Sequence, residues 1–204
     1  DDAVLNSDPN PLSQLINLRS QAEKASKTQN LFEQRVGSGW IPWEEVQQAR
    51  VTALDKVGVA EWIGAEEKRA ALRDACAISL LSLIPPDRVG IIRKLRLDVT
   101  LKKKPDGNWK IDLSKQRDGH KTSRFYGPFA ASLPTELNDI LGRYTSELGF
   151  DGPVEGGAYL FHPPRSKPDR PMESSAWSGW VKRCFKRHTG SEIAPKTLRS
   201  IFIT

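Results

Sequence analysis

The feature that most constrains the fold of this chain is a change of period at Pro85-Pro86. Before it, Leu72, Ala75, Cys76, Ser79, Leu80, Leu83 and Ile84 recur at helical spacing, so one apolar stripe is expected on a helix over 65–84. The two prolines stop that helix, because proline has no N–H to donate and its ring clashes with the preceding turn. Beyond them the pattern shortens. A short helix over 88–95 and three strands, 97–101, 109–115 and 124–129, are expected. Pro105-Asp106-Gly107-Asn108 is a turn signal between the first two strands, and 116–123 is a longer polar turn between the second and third.

Helical spacing returns over 133–148. After the brief apolar segment 158–161 comes a loop rich in Pro, Arg and Lys over 163–171. A helix capped by Ser174 or Ser175 then runs to His188, with Gly190 just past its end. Its stripe is Ala176, Trp177, Trp180, Val181, Cys184 and Phe185, with Lys182, Arg183, Lys186 and Arg187 off it. A last helix starts near Pro195. The order of helices, a small sheet and helices again implies an α+β fold, mainly helical, with a small three-stranded antiparallel sheet.

Toward the N-terminus, 1–11 read as a flexible lead and 12–36 as one or two helices, broken by Gly37-Ser38-Gly39. The expected boundary leaves 1–38 as a lead and helical linker or the end of a separate domain, and 39–204 as the main domain. Trp40-Ile41-Pro42-Trp43-Glu44-Glu45 is a helix entry, with proline and acids in the first turn. The opening Asp1-Asp2 and the apolar ending Ile201-Phe202-Ile203-Thr204 both read as cuts in a longer protein, leaving the main domain incomplete at its C-terminus.

Composition narrows the function classes. Hydrophobic residues at 38% are enough for a core. Cys76 and Cys184 lie in apolar helical patterns and read as buried, reduced thiols of an intracellular protein. His120, His162 and His188 stand at no metal-ligand spacing with them, so no metal and no cofactor is expected. No apolar run nears the roughly 18 residues of a membrane span, so no membrane partner is expected. The chain carries a net +6, yet 88–124 alone holds twelve Lys or Arg against four Asp, a net +8. Positive charge concentrated in this way suits a polyanion, because each phosphate contact releases counterions.

Two separated segments are more specific. Ile84-Pro-Pro-Asp-Arg88-Val-Gly-Ile-Ile-Arg-Lys-Leu95-Arg96 follows an apolar helix and precedes a strand. Ile193-Ala-Pro-Lys196-Thr-Leu-Arg199-Ser-Ile-Phe202 opens the last helix. In this order, with strands and a lysine between them, they resemble the two arginine boxes of the tyrosine recombinase (phage-integrase-like) family over about residues 40–204. Arg88 matches the first catalytic arginine and Arg96 the arginine closing that box. Lys196 and Arg199 match the His-x-x-Arg of the second box, with lysine where histidine is commonest. Ile91 stands where the family often has an acid. The hairpin lysine of the family falls on Lys115, with Lys121 the alternative.

The resemblance implies DNA strand cleavage and rejoining through a phosphotyrosyl intermediate, as in site-specific recombination, integration or transposition. Arg88 and Arg199 would neutralise the nonbridging phosphate oxygens, since a guanidinium is always charged and binds phosphate bidentately. Lys115 would protonate the leaving 5′-hydroxyl, with Lys196 beside the second arginine. Arg96, Lys102, Lys103, Arg117, Lys121 and Arg124 would hold DNA. The implied partner is double-stranded DNA, with assembly on it as a dimer or tetramer. Residues 1–38 would then end an N-terminal DNA-binding domain. The compartment would be the nucleus in a eukaryote, or the cytoplasm or nucleoid in a bacterium or phage. The family's nucleophilic tyrosine lies well past the second box. Tyr126, Tyr144 and Tyr159 all precede Arg199 and read as packing residues, so this stretch alone is expected to bind but not cleave. The runner-up is a DNA-binding protein derived from such an enzyme without catalysis. A basic RNA-binding domain is a third option, without an aromatic RNP-type motif to support it.

Overall fold

The computed structural model describes residues 16–21, 23–24, 39–60, 62–84, 90–114, 129–150, 157–163 and 167–203. The chain divides into two units, Asp1–Ser38 and Gly39–Thr204. In the first, residues 16–21 and 23–24 are helical. The second is α+β and mainly helical. Its elements are α1 (Trp43–Ala60), α2 (Ala65–Leu83), a 3-10 turn (Ile92–Lys94), β1 (Leu101–Lys103), β2 (Trp109–Asp112), β3 (Ala130–Ser132), a second 3-10 turn (Thr135–Leu137), α3 (Asn138–Glu147), α4 (Ser174–Thr189) and α5 (Pro195–Ile203).

The stripe on α2 is the centre of the core. Leu72, Ala75, Cys76, Ile78 and Leu80 are all wholly buried. Val46, Ala49, Ala53 and Val57 of α1 pack on one side of it. Ile140, Leu141 and Tyr144 of α3 and Trp177, Val181 and Cys184 of α4 supply further walls. Against them stand Tyr144, Phe161, Trp177 and Trp180 as a continuous aromatic cluster, with successive ring centroids 4.9–6.1 Å apart. Stacked and tilted aromatic pairs of this kind each contribute about 0.5–1.5 kcal/mol beyond the area they bury. Gly190 ends α4 in the left-handed conformation (φ 79°), its N–H donating to the Lys186 carbonyl, as the sequence implies.

The sheet is antiparallel in the order β1-β2-β3, with Leu101 opposite Ile111 and Lys110 opposite Ser132. Leu101, Trp109 and Ile111 face the core. The 104–108 turn closes as the Pro-Asp-Gly-Asn signal requires. Gly107 adopts φ 85°, and the Asp106 carboxylate accepts the Asn108 N–H at 3.0 Å. The Asn138 side chain donates to that of Asn108, tying the hairpin tip to the start of α3.

One expected strand differs from that observed. Residues 97–101 alternate as a strand would, but 98–100 form a tight turn, and β1 begins only at Leu101. The Arg96 carbonyl accepts the Thr100 and Leu101 N–H groups, the Thr100 hydroxyl accepts the Arg96 N–H, and Asp98 takes φ 60°. Local polar bonds therefore override the alternation. The third strand of the sheet is Ala130–Ser132, and the strand expected over 124–129 lies, except for Phe129, outside the described residues, as do 115–123. The short helix expected over 88–95 is a single 3-10 turn, Ile92–Lys94, in its described part.

Candidate nucleic-acid interface

α5 begins at Pro195, where proline has no N–H to leave unpaired, and the Ala194 carbonyl accepts the Thr197 and Leu198 N–H groups. Its inward face is Leu198 and Ile201, both buried. Phe202 meets Trp43 of α1 edge-on, with centroids 5.1 Å apart and planes at 87°. The stretch before α5 is held as closely. Gly39 (φ 96°) lies so near Glu192 that an added Cβ would stand 2.3 Å from the Glu192 carbonyl oxygen. With the inward face held, Lys196 and Arg199 fall three residues apart on the opposite face, and both are exposed. Neither has an ion-pair partner among the described residues.

The hairpin cations are engaged differently. Lys102 meets Asp112 at 3.0 Å, and Lys110 approaches the same carboxylate at 3.8 Å. The Ser114 hydroxyl, the Lys102 ammonium and the Ser114 N–H together hold the Asp112 carboxyl far below the usual carboxylate range. Lys103 lies over the Trp109 ring at 6.0 Å, and Lys104 faces Asp106 at 3.8 Å. Arg96 is half-buried. Its guanidinium donates to the Gly157 carbonyl and stacks over Tyr159 at 5.1 Å, which fixes 157–159 against the 96–101 turn. Gly157 (φ 72°) is required there, since a Cβ would stand 2.5 Å from Val99 Cγ2.

Of the residues singled out in the sequence, Arg96, Lys102, Lys103, Lys196 and Arg199 are thus placed, on two different elements and one turn. Arg88, Lys115, Arg117, Lys121 and Arg124 lie outside the described residues. Tyr144 is buried and donates its hydroxyl to the Leu160 carbonyl, and burial drives its phenol well above the ordinary value. It packs, as expected. Cys76 and Cys184 are buried free thiols, both pushed up by burial. No group of acids, cysteines or histidines among the described residues could hold a metal ion. No helix among them is long and apolar enough to cross a membrane.

One constellation was not anticipated. Asp74 on α2, 7% exposed, accepts the Arg187 guanidinium on one oxygen and the Cys184 thiol on the other. Beside this pair a cleft of about 710 Å³ is lined by Arg73, Arg170, Arg183 and Arg187. The only sequence signal was that Arg183 and Arg187 lie off the stripe of α4. Their meeting with Arg73 and Arg170 depends on tertiary packing. His188, next in line, is held below its ordinary value by burial first and by Lys56 second.

The chain was compared with protein-family models, curated proteins and solved structures, and none matched.

Proposed function

We propose that this chain is part of a DNA strand-exchange enzyme of the tyrosine recombinase type, and that its own role is to grip the DNA phosphate backbone. The observation that carries this reading is the pair Lys196 and Arg199. They sit one helical turn apart, exposed and without an acidic partner among the described residues, on a helix anchored by Leu198, Ile201 and the Phe202–Trp43 contact. An unpaired arginine on a fixed helix can hold two phosphate oxygens at once, and a lysine beside it adds a point charge. Preorganised cations of this kind stabilise the charge that develops on phosphorus during phosphoryl transfer, at roughly 10²–10³ in rate per donor. In this reading Arg88 supplies the second guanidinium and Lys115, or Lys121, the proton for the leaving 5′-oxygen. The nucleophile is a tyrosine later in the family pattern than Arg199, a position none of Tyr126, Tyr144 and Tyr159 occupies.

The test is duplex DNA binding across a salt series. Lys196→Ala and Arg199→Ala should each weaken binding and each lower the slope of log K against log salt by about 1. Unchanged affinity and slope in both variants would overturn the reading. A nicked duplex that traps covalent protein–DNA adducts then separates an enzyme from a DNA-binding protein derived from one.

A further inference from the structure

We infer that the arginine-lined cleft beside α4 is a binding site for a nucleotide unit, with the phosphate on the guanidinium groups and the apolar body against the opposite wall. The inference does not depend on the recombinase reading, since none of its residues takes part in that.

The cleft is made by two regions far apart in sequence, α2 on one side and the continuous 167–189 segment on the other. Arg73 comes from α2, Arg183 and Arg187 from α4, and Arg170 from 167–173. That last stretch is held by backbone bonds, from the Tyr159 N–H to the Pro168 carbonyl and from the Met172 N–H to the Phe161 carbonyl, at 2.8 and 2.9 Å. Arg170 therefore projects from a bend that is pinned by a backbone bond on either side. The guanidinium of Arg183 lies over Gly179, with Nη1 3.5 Å from where a Cβ would stand.

Four like charges share one concavity, and among the described residues only Arg187 has a carboxylate partner, Asp74. Arg170 and Arg183 meet no carboxylate among the described residues, and the rim residue Glu173 pairs with none of the four. Arg73 is partly buried with its Nε–H unpartnered, its guanidinium stacked at 5.0 Å on Trp180. Trp180 is itself 95% buried by its 5% exposure, lines the same cleft, and leaves its indole N–H without a partner. Like charges gathered in one concavity repel, and an anion set among them relieves that repulsion, so the cluster marks a place for one.

The other wall decides which anion. Pro163, Pro171, Met172 and Ala176 line the cleft with apolar surface, which inorganic phosphate cannot use. The volume is that of a site for a small organic ligand. A phosphate ester on a planar, largely apolar body fits both halves. Such a unit exists as a free nucleotide and as a residue of a nucleic-acid strand.

The experiment is calorimetric titration of the full chain with a deoxynucleoside monophosphate, with inorganic pyrophosphate, and with a short single-stranded oligonucleotide. The variants are Arg170→Gln/Arg183→Gln, both exposed and outside the core, and Arg143→Gln on α3 as a control for loss of charge. We expect the monophosphate or the oligonucleotide to bind more tightly than pyrophosphate. The double variant should weaken binding by at least about tenfold, and the control should leave it unchanged. Binding of the monophosphate identifies a free nucleotide as a competent ligand; binding of the oligonucleotide alone assigns the site to a strand. The inference is overturned if neither binds tighter than about 1 mM, if pyrophosphate binds as well as both, or if the control loses as much as the double variant.

Discussion

The hairpin and the arginine cleft are both rich in positive charge, and they use it in opposite ways. On the hairpin, Lys102 and Lys110 share Asp112, Lys104 faces Asp106, and Lys103 covers Trp109. Each of those cations already has a partner within ten positions of it on the same hairpin. In the cleft, arginines from α2, α4 and 167–173 converge, and one carboxylate, Asp74, answers one of them. Local net charge therefore ranks these two regions the wrong way round for anion binding. What matters is whether each cation already has a partner, and that depends on which distant segments the fold brings together.

The sharpest way to break the comparison is to remove the cleft's foundation. Trp177 is 1% exposed and packs against both Phe161 and Trp180, at 4.9 and 5.1 Å between centroids. Trp177→Ala should cost about 3–5 kcal/mol, a fall in Tm on the order of 10 °C by thermal unfolding. Anion binding in the cleft should be lost with it while the hairpin's contacts survive. A variant that unfolds at the wild-type temperature would show that the aromatic cluster does not support the cleft.

A smaller effect is expected from Asp74→Asn. The substitution keeps the shape and an acceptor for the Cys184 thiol but removes the charge facing Arg187. Removing one partner of a fully buried pair costs more than this, but the Arg187 side chain is 46% exposed and can turn to water, so about 1–2 kcal/mol is expected by urea unfolding. Pyrophosphate binding should tighten at the same time, because the fourth arginine, Arg187, is released into the cleft. Weaker binding would mean that Asp74 holds Arg187 in its binding pose.

How much of this was legible depended on the range of the signal. The α2 stripe, the Gly190 cap, the 104–108 turn and the burial of Trp177 and Trp180 follow from neighbours within a few residues, and the sequence carries them in full. The 97–101 segment misled because alternation reports which side chains are buried, while Thr100 and Asp98 decided the backbone. The exposure of Lys196 and Arg199 was implied by their spacing against Leu198 and Ile201. The cleft was invisible for a different reason. Arg73 and Arg183 are more than a hundred positions apart, and nothing in either local pattern says that α2 and α4 will face each other there.

The smallest effect, and the most direct contrast with the cleft, is expected at Asp112. Asp112→Asn should barely move the unfolding temperature at neutral pH, because its partners Lys102 and Lys110 are partly exposed and lie on the surface of the sheet. Its pH dependence has a definite sign. The carboxyl is held below its ordinary value in the folded chain, so whatever stability it gives is present above about pH 4 and fades as pH falls below that. The difference between wild type and Asp112→Asn should therefore shrink in acid. At neutral pH the variant releases two lysines to outside anions. Its duplex-DNA binding should steepen in salt dependence by about 1–2, whereas the same substitution chemistry at Asp74 acts on the cleft. If the slope stays unchanged, the hairpin lysines were already exchanging Asp112 for phosphate in the wild type. The division between satisfied and unsatisfied cations would then be one of geometry at rest, not of binding.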